Sequence, residues 1–326
     1  MKSSLIFLVI ISQILLSKCE VEITFDKLLD DLKKDAKMKK MAIAGADIPE
    51  TLKTSRLAKD MKIGDSILIG NEEKIRKIAE EADIDISDFQ IVNLNDRTEI
   101  SRYAVKLVHE GEADMYVKGN IETRDVLKAV LDDEIGLKVE KELISLVGVF
   151  EIDGKMKYLT DPSVVPYPDL TEKVQLINNA VKFAESTGLK NPKVAAVTAI
   201  SIPNMRMPET MDAEQLSKMN DKGLIKNCIV DGPLSFDLAI SPESASVKHS
   251  ERKINGDADI ILFPDVHAAN IAYKILTHLS NAKSGNIIIG TSEPVILSSR
   301  SDTVEVKLNS IILGFTYDKF KDKMGK

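Results

Sequence analysis

From residue 21 onward the chain repeats one unit: a short apolar run, then a longer stretch with apolar positions at helical spacing. The runs Lys40–Ala46 (KMAIAGA), Ser66–Ile69, Gln90–Leu94 and Asp114–Lys118 are separated by helical stretches at Glu50–Met61, Glu72–Ala82 and Thr98–Gly111. An opening helix spans Phe25–Lys37 and another spans Glu122–Leu131. The rhythm returns later. Strands Val194–Ala199, Lys226–Val230, Ala258–Phe263 and Asn286–Ile289 alternate with helices Leu170–Thr187, Ala213–Asn220, Phe236–Ser246 and Ala268–Leu279. A last helix spans Val304–Phe315. Strands apolar on both faces must be covered on both faces. The pattern therefore predicts an α/β fold of mainly parallel sheets flanked by helices.

The alternation breaks once. Leu143–Ile152 is long and β-branched, and Met156–Thr160 answers it across the turn signal Asp153-Gly154. A domain junction is placed at this hairpin. The length, 326 residues, suits two domains of ordinary size.

Charge and cysteine use exclude several classes. Forty-four Lys+Arg against 51 Asp+Glu leave a net charge of −7, which argues against nucleic acid as a partner and leaves room for a local anion pocket. The two cysteines, Cys19 and Cys228, build neither a disulfide framework nor a metal site, and they fit a reducing compartment. Residues 1–20 disagree: Leu5–Leu16 is an apolar run behind Lys2, like the core of a secretory signal. Lys18 spoils both a cleavage site and a lipoprotein reading of Cys19. The rest reads as a cytoplasmic enzyme; export or membrane tethering through this hydrophobic leader is the alternative.

Common chemistries are missing. No G-x-G-x-x-G follows a strand, and there is no G-x-x-x-x-G-K-[ST] and no G-x-S-x-G. His109, His249, His267 and His278 form no close pair, so no metal site is expected. The remaining place for a site is the loops beyond the carboxyl ends of the strands.

Four such loops stand out. Val117-Lys118-Gly119-Asn120 leads into a helix and is either an anion seat or a solvated lysine beside a turn glycine. Thr160-Asp161-Pro162 reads first as a turn initiator. Val230-Asp231-Gly232-Pro233 is a tight turn that brings Asp231 to the sheet rim, for chemistry or for a helix cap. The fourth runs from Gly290 through Ser298, Ser299, Arg300, Ser301 and Asp302. Its hydroxyls and arginine suit phosphate, and Ser301 or Asp302 can also N-cap the last helix with Glu305 closing a capping box.

Taken together these segments resemble a known family. Val117–Gly119, Asn204–Met219 (NMRMPETMDAEQLSKM), Ile229–Ser241 (IVDGPLSFDLAIS), Asp257–Lys274 and Gly290–Ser310 (GTSEPVILSSRSDTVEVKLNS) match the phosphate acetyl/butyryltransferase family in order and spacing, on its butyryl-transferring side. The resemblance covers residues 22 to 316. It implies a two-domain fold like that of isocitrate and isopropylmalate dehydrogenases, with an inter-domain cleft. Residues 21–152 plus 291–326 form the first domain, and residues 153–290 form the second, through which two chains make a homodimer. The implied reaction is acyl-CoA plus phosphate giving acyl phosphate plus CoA, in a ternary complex without an acyl-enzyme. No permanent cofactor is implied; the coenzyme A thioester is a substrate.

The resemblance also assigns roles. Holding two reactants together supplies up to about 7–11 kcal/mol of a barrier. A helix N-terminus supplies at most about 2 kcal/mol toward a dianion, so cationic side chains are needed. Arg300 is the first choice for phosphate and Ser299 for the phosphate or the developing oxyanion. Asp302 or Glu305 would accept the thiol proton. Lys118, Gly119, Lys128, Asp161, Asp231, Gly232, Pro233, Gly290 and Ser298 complete the expected phosphate and CoA site.

Several positions depart from the family pattern. Val306 stands where acetyl-transferring relatives carry aspartate, Lys128 where arginine is usual and Val165 where asparagine is usual. His267 replaces a common carboxylate and Ala269 a common glycine. His267 reads as the start or cap of a helix, with a general base as the alternative. Cys228 reads as core. Met205, Met207, Met211 and Met219 are divided between an acyl pocket and ordinary packing. The rivals are a phosphate acetyltransferase, a catalytically weak CoA-binding paralogue, and a metal- and NAD-dependent dehydrogenase, for which no carboxylate trio is found.

Overall fold

The structure, a computed structural model, describes residues 22–35, 38–248 and 251–324. The leader 1–20, with Cys19, and His249 lie outside the described residues. The first half runs α1 (Phe25–Leu32), β1 (Lys39–Ala44), α2 (Pro49–Asp60), β2 (Gly64–Gly70), α3 (Glu72–Glu81), β3 (Gln90–Asn93), α4 (Arg97–His109), β4 (Met115–Lys118) and α5 (Thr123–Val130). The hairpin β5 (Ser145–Ile152) and β6 (Lys155–Thr160) follows. Then come α6 (Leu170–Ser186), β7 (Lys193–Val197), α7 (Pro208–Asp221), β8 (Ile229–Leu234), α8 (Phe236–Ile240), α9 (Pro242–Val247), β9 (Ile260–Leu262) and α10 (Val266–Leu279). The chain closes with β10 (Lys283–Ile289), β11 (Val295–Ile296) and α11 (Val304–Met324).

All the described strands join one open sheet in the order β3-β2-β1-β4-β11-β10-β5-β6-β9-β7-β8. Both wings are parallel, as the apolar strands predict. The antiparallel pairings gather in the middle, where β10 pairs with β11 and β5, and β5 with β6. The hairpin that interrupts the sequence pattern is thus the bridge that carries one sheet from wing to wing.

The period of two in β5 sorts the core. Val147 and Val149 point to the face covered by α6 and α11, in one cluster that spans both wings. Leu146 and Phe150 point to the other face, where they belong to two separate clusters. Leu146 packs with Tyr116, Ile288 and Leu297. Phe150 packs with Leu159, Phe263 and Tyr273. Gly148 lies between them, and a Cβ there would come within 2.8 Å of the Tyr273 ring. Glycine therefore lets α10 lay that ring across the strand, at the line where the two clusters part.

Several boundaries differ from the sequence expectation for physical reasons. The helix expected over Phe236–Ser246 is two helices, because Pro242 cannot donate a backbone hydrogen bond. Ser241 turns extended and its hydroxyl accepts from the Ser244 N–H at 3.1 Å, capping α9. The last helix runs past Phe315 to Met324. Ion pairs from Lys39 to Asp318 and from Lys319 to Asp31 hold its polar end, which apolar spacing could not reveal. Asp231-Gly232-Pro233 is not a turn: β8 continues through it. A proline is tolerated there because β8 is an edge strand whose register against β7 shifts between Ala195 and Val197.

Candidate active site

β4 is buried along its whole length and ends on Lys118, whose own side chain is buried. A Cβ on Gly119 would collide with the Gly45 carbonyl, so the chain leaving β4 can pass this close to the β1 loop only with glycine. Neighbouring β11 ends at Ile296 and releases the segment Leu297–Thr303, which α11 follows. Lys118 and this segment therefore meet: Lys118 Nζ donates to the Ser298 carbonyl at 3.0 Å.

A second lysine holds the next residue. Lys307, from the first turn of α11 and also buried, donates from Nζ to the Ser299 carbonyl at 2.7 Å. Asp302 Oδ2 accepts the Ser299 N–H at 2.7 Å, and the Ser299 and Ser301 hydroxyls lie 3.1 Å apart. Two ammonium groups and a carboxylate thus strap both peptide groups that flank Ser299. The N-cap differs from either expected residue: Thr303 Oγ1 accepts from the Val306 N–H, which leaves Asp302 free to organise the loop.

The loop forms one wall of a cavity of about 420 Å3. Lys118, Ser298, Ser299, Arg300 and Asp302 border it at the charged end. Arg300 reaches across the mouth to an ion pair with Glu122, which also lies 3.8 Å from Arg97. Leu146, Pro162, Tyr273 and Leu297 also line it, together with the polar Ser163, Asn270, Lys274 and Asn286. The cavity therefore sits where the two core clusters part.

The electrostatics favour an anion. Burial pushes Lys118 down to about 8, and the charges of Lys307 and then Arg300 act in the same direction, against Asp302 and Glu122. Burial lowers Lys307 as well, against Asp302. Three cations thus crowd one loop with two carboxylates, and an arriving dianion relieves their repulsion. Burial pushes the Tyr273 hydroxyl up to about 12, so it stays a neutral donor.

Asp161 works from behind the wall. Its carboxylate accepts the N–H groups of Ser163 (2.8 Å), Val164 (3.0 Å), Val165 (3.2 Å) and Leu146 (3.2 Å). Burial raises it to about 6 despite those four donors. It folds Pro162 and Ser163 into the cavity wall and does not itself line it.

Other expected site residues lie elsewhere. Lys128 is exposed on α5, and Glu305 is exposed on α11, where its charge acts on Lys283. Neither lines the cavity. Asp231 is buried on β8 and bound to Arg252, with Nη2 to Oδ1 at 2.8 Å, and Pro233 offers its carbonyl to the same guanidinium at 3.2 Å. Gly232 packs against Ala196 and Ala213. This trio locks an edge strand and does not reach the cavity. Gly290, at φ +93°, passes against the Leu143 carbonyl and shapes the backbone before β11.

Asp265, not His267, caps α10 through the Ala268 N–H. His267 pairs with the Tyr167 hydroxyl at 2.7 Å on the surface. Ala269 is fully buried, and Val165 donates its N–H to Asp161. Cys228 is buried, with its thiol pushed up to about 11 by burial, which keeps it unreactive. None of the four methionines lines the cavity, and Met205 is 88% exposed.

Sequence reasoning missed Lys307, Glu122, Leu146, Tyr273 and Asn286. Lys307 carried a signal: a cation one turn into a helix opposes the macrodipole, so another function must hold it there. Asn286 carried one too, a lone amide heading the apolar run NIII. Tyr273 carried none, because its place depends on Gly148, which is far away in sequence.

Comparisons with known proteins identify the family. The family model described as "Phosphate acetyl/butaryl transferase" matches residues 97–315. The phosphate butyryltransferase of Clostridium acetobutylicum is 44% identical over 86% of this chain and 93% of its own length. The phosphate acetyltransferase of Thermotoga maritima is 40% identical over 86% of this chain and 96% of its own. Among solved structures, a branched-chain phosphotransacylase from Enterococcus faecalis V583 superposes with a TM-score of 0.76 at 31% identity, covering 86% of this chain and 99% of that one. The chain belongs to the phosphate acetyl/butyryl transferase family.

Proposed function

We propose that this protein is a phosphate acyltransferase of the butyryl type, converting acyl-CoA and inorganic phosphate into acyl phosphate and CoA, reversibly. The observation that carries this reading is the loop Ser298–Asp302, strapped by Lys118 and Lys307 and fronted by Arg300 on a cavity large enough for a second reactant. The relatives named phosphate butyryltransferase, at 44% and 42% identity, favour the butyryl over the acetyl reading.

The reaction asks for what these residues offer. A phosphate oxygen attacks the thioester carbonyl carbon in a ternary complex, charge collects on the carbonyl oxygen, and the carbon–sulfur bond breaks as the sulfur leaves. With HPO4²⁻ as nucleophile, its proton ends on the CoA thiol, so the step balances without an acyl-enzyme. Arg300 leaves Glu122 to grip two phosphate oxygens, and Lys118 supplies a second charge. The Ser299 hydroxyl steadies the phosphate or the oxyanion. In reverse the thiol must lose its proton. Of the two carboxylates expected from the sequence, Asp302 borders the cavity and Glu305 does not; Glu122 borders it too, paired to Arg300.

We further propose that the protein acts in the cytoplasm as a homodimer through its second half. There α10 exposes Ile271, Ile275 and Leu279 at the spacing of one helix face. Among the described residues no helix is long and apolar enough to cross a membrane.

The test is phosphate-dependent release of free thiol from butyryl-CoA by the purified protein. Thiol released equally without phosphate would mean a thioesterase. No release with acetyl-, butyryl- or isobutyryl-CoA would mean a CoA-binding paralogue.

A further inference from the structure

Three basic side chains crowd the Ser298–Asp302 loop, and each is held differently. Arg300 is paired with Glu122. Lys307 is buried and donates to the Ser299 carbonyl, but it does not border the cavity. Lys118 is only 5% exposed, yet it borders the cavity. Among the described residues no carboxylate pairs with it, and its one hydrogen bond runs from Nζ to the Ser298 carbonyl at 3.0 Å. That bond fixes the direction of the amine and uses an N–H. The lone pair of the neutral form is therefore left unengaged.

An amine so placed is a nucleophile. Lysines that are desolvated beside other cations lose their proton readily and attack carbonyl groups. The charged groups around Lys118 come from four elements. Lys307 on α11 and Arg300 on the loop repel its proton, Asp302 on the loop and Glu122 before α5 retain it, and burial leaves the amine near 8. Lys274, from α10, is the other lysine that borders the cavity. Tyr273 stays neutral, since burial pushes its hydroxyl up to about 12. The serine hydroxyls of the loop are weaker nucleophiles than an amine without a base to activate them. A bound phosphate reverses the state of Lys118, because the dianion favours the ammonium form. The cavity thus presents a reactive amine only while phosphate is absent.

We propose that Lys118 is a self-acylation site: when acyl-CoA occupies the cavity without phosphate, the Lys118 amine takes the place of the missing nucleophile and keeps the acyl group as an amide on Nζ. The assignment rests on the acyltransferase reading above and goes beyond it. The lone pair of the amine attacks the thioester carbonyl carbon. The carbon–sulfur bond breaks with its electron pair on sulfur, and the proton lost by nitrogen ends on that sulfur. One amide and one CoA thiol form, and no other reactant is consumed. Acylation removes a positive charge from a pocket that must hold a dianion, so the acylated protein no longer uses phosphate. The protein therefore shuts itself off when acyl-CoA is plentiful and phosphate is scarce.

The experiment incubates the purified protein with butyryl-CoA in phosphate-free buffer, at pH values on both sides of 8, and locates the butyryl group by peptide mass spectrometry. Lys118 is expected to carry it ahead of Lys307, which is buried but off the cavity, ahead of Lys274 on the other wall and ahead of the exposed Lys128. The labelling rate rises about tenfold per pH unit up to about 8 and then flattens, where an ordinary lysine keeps climbing to about 10.4. Thiol appears once, in an amount equal to the label, and this release disappears in Lys118→Arg. Phosphate-dependent turnover of the re-isolated protein falls in step with the label, and phosphate present during the incubation suppresses it. Label on Lys274 or Lys128 in preference to Lys118, label that phosphate does not suppress, or no label at all, in a protein that releases thiol with phosphate, overturns the self-acylation site and leaves the acyltransferase reading standing. Label on Lys118 in a protein with no phosphate-dependent thiol release overturns the acyltransferase reading alone. Neither label nor release overturns both.

Discussion

Lys307 Nζ sits 2.7 Å from the Ser299 carbonyl oxygen, one peptide along from the carbonyl that Lys118 holds at 3.0 Å. The two lysines approach from different elements, α11 and β4, and neither carries a carboxylate of its own. Both ammonium groups donate to backbone carbonyls and repel each other, so the pocket keeps its attraction for an incoming anion.

The strap predicts a two-part outcome for Lys307→Met. The Ser299–Arg300 loop loses a charge-assisted hydrogen bond, and kcat/KM for phosphate falls about 10–100-fold for a loss of roughly 1.5–3 kcal/mol. Loss of the Lys307 charge also raises the ionisation of Lys118, so the alkaline limb of the pH profile moves upward. Lys307→Arg restores the charge and returns the limb toward its original position. A steady-state profile of phosphate use against pH checks both parts.

The lowered Lys118 fixes the direction of pH dependence. In the ligand-free protein it releases its proton near pH 8, and a bound dianion favours the charged form. Phosphate binding then takes up a proton above that pH, and KM for phosphate climbs by up to about tenfold per pH unit. Stability of the ligand-free protein runs the other way. Between about pH 8 and 10.5 the unfolded lysine still holds a proton that the folded one has lost, so unfolding free energy rises with pH from this group. Phosphate titrations and denaturant melts across this range test the two signs together.

Glu122 competes with phosphate for Arg300. Glu122→Gln removes the ion pair, and KM for phosphate is expected to fall about two- to fivefold, in keeping with the small worth of an exposed pair. Arg300→Ala should raise KM for phosphate at least about 30-fold while leaving CoA affinity within a factor of about three, a loss in the range of a charge-assisted bidentate contact. Equal loss for both substrates would separate Arg300 from phosphate.

Asp161→Ala leaves four N–H groups around Pro162 and Ser163 without their acceptor. The expected cost is about 3 kcal/mol of stability. The native carboxyl also has a signature of its own. Its ionisation is raised to about 6, so between the usual carboxylate range and pH 6 the folded state holds the extra proton and stability from this group falls as pH rises. That slope disappears in the variant, as urea melts at several pH values would show.

Gly148→Ala places a methyl group 2.8 Å from the Tyr273 ring, which must shift. Overpacking of this kind costs about 1–3 kcal/mol. The displaced ring also narrows the cavity, so butyryl-CoA turnover falls more than acetyl-CoA turnover in side-by-side assays.

Most of the frame was legible in the sequence, because both wings are built from strand–helix units whose apolar periods differ clearly. Ser298, Ser299, Arg300 and Asp302 stand together in the sequence as a hydroxyl-rich arginine loop before a helix, and the structure brings all four to one cavity. Asp231-Gly232-Pro233 misled because a turn signal and an edge-strand irregularity use the same residues. Only the Arg252 pairing tells them apart, and it comes from 21 residues away. Leu146 and Tyr273 could not be read at all, since a leucine in an apolar strand looks the same whether core or cavity lies above it.

The antiparallel bridge β10-β5-β6 carries a mechanical consequence. Because hydrogen bonds run unbroken from β3 to β8, the two wings share a keel, and any opening between them has to bend or twist it. Admission of a bulky thioester must come from flexing that keel or from movement of the segments resting on its cleft side, with Arg300 and Glu122 as the contact that has to part first.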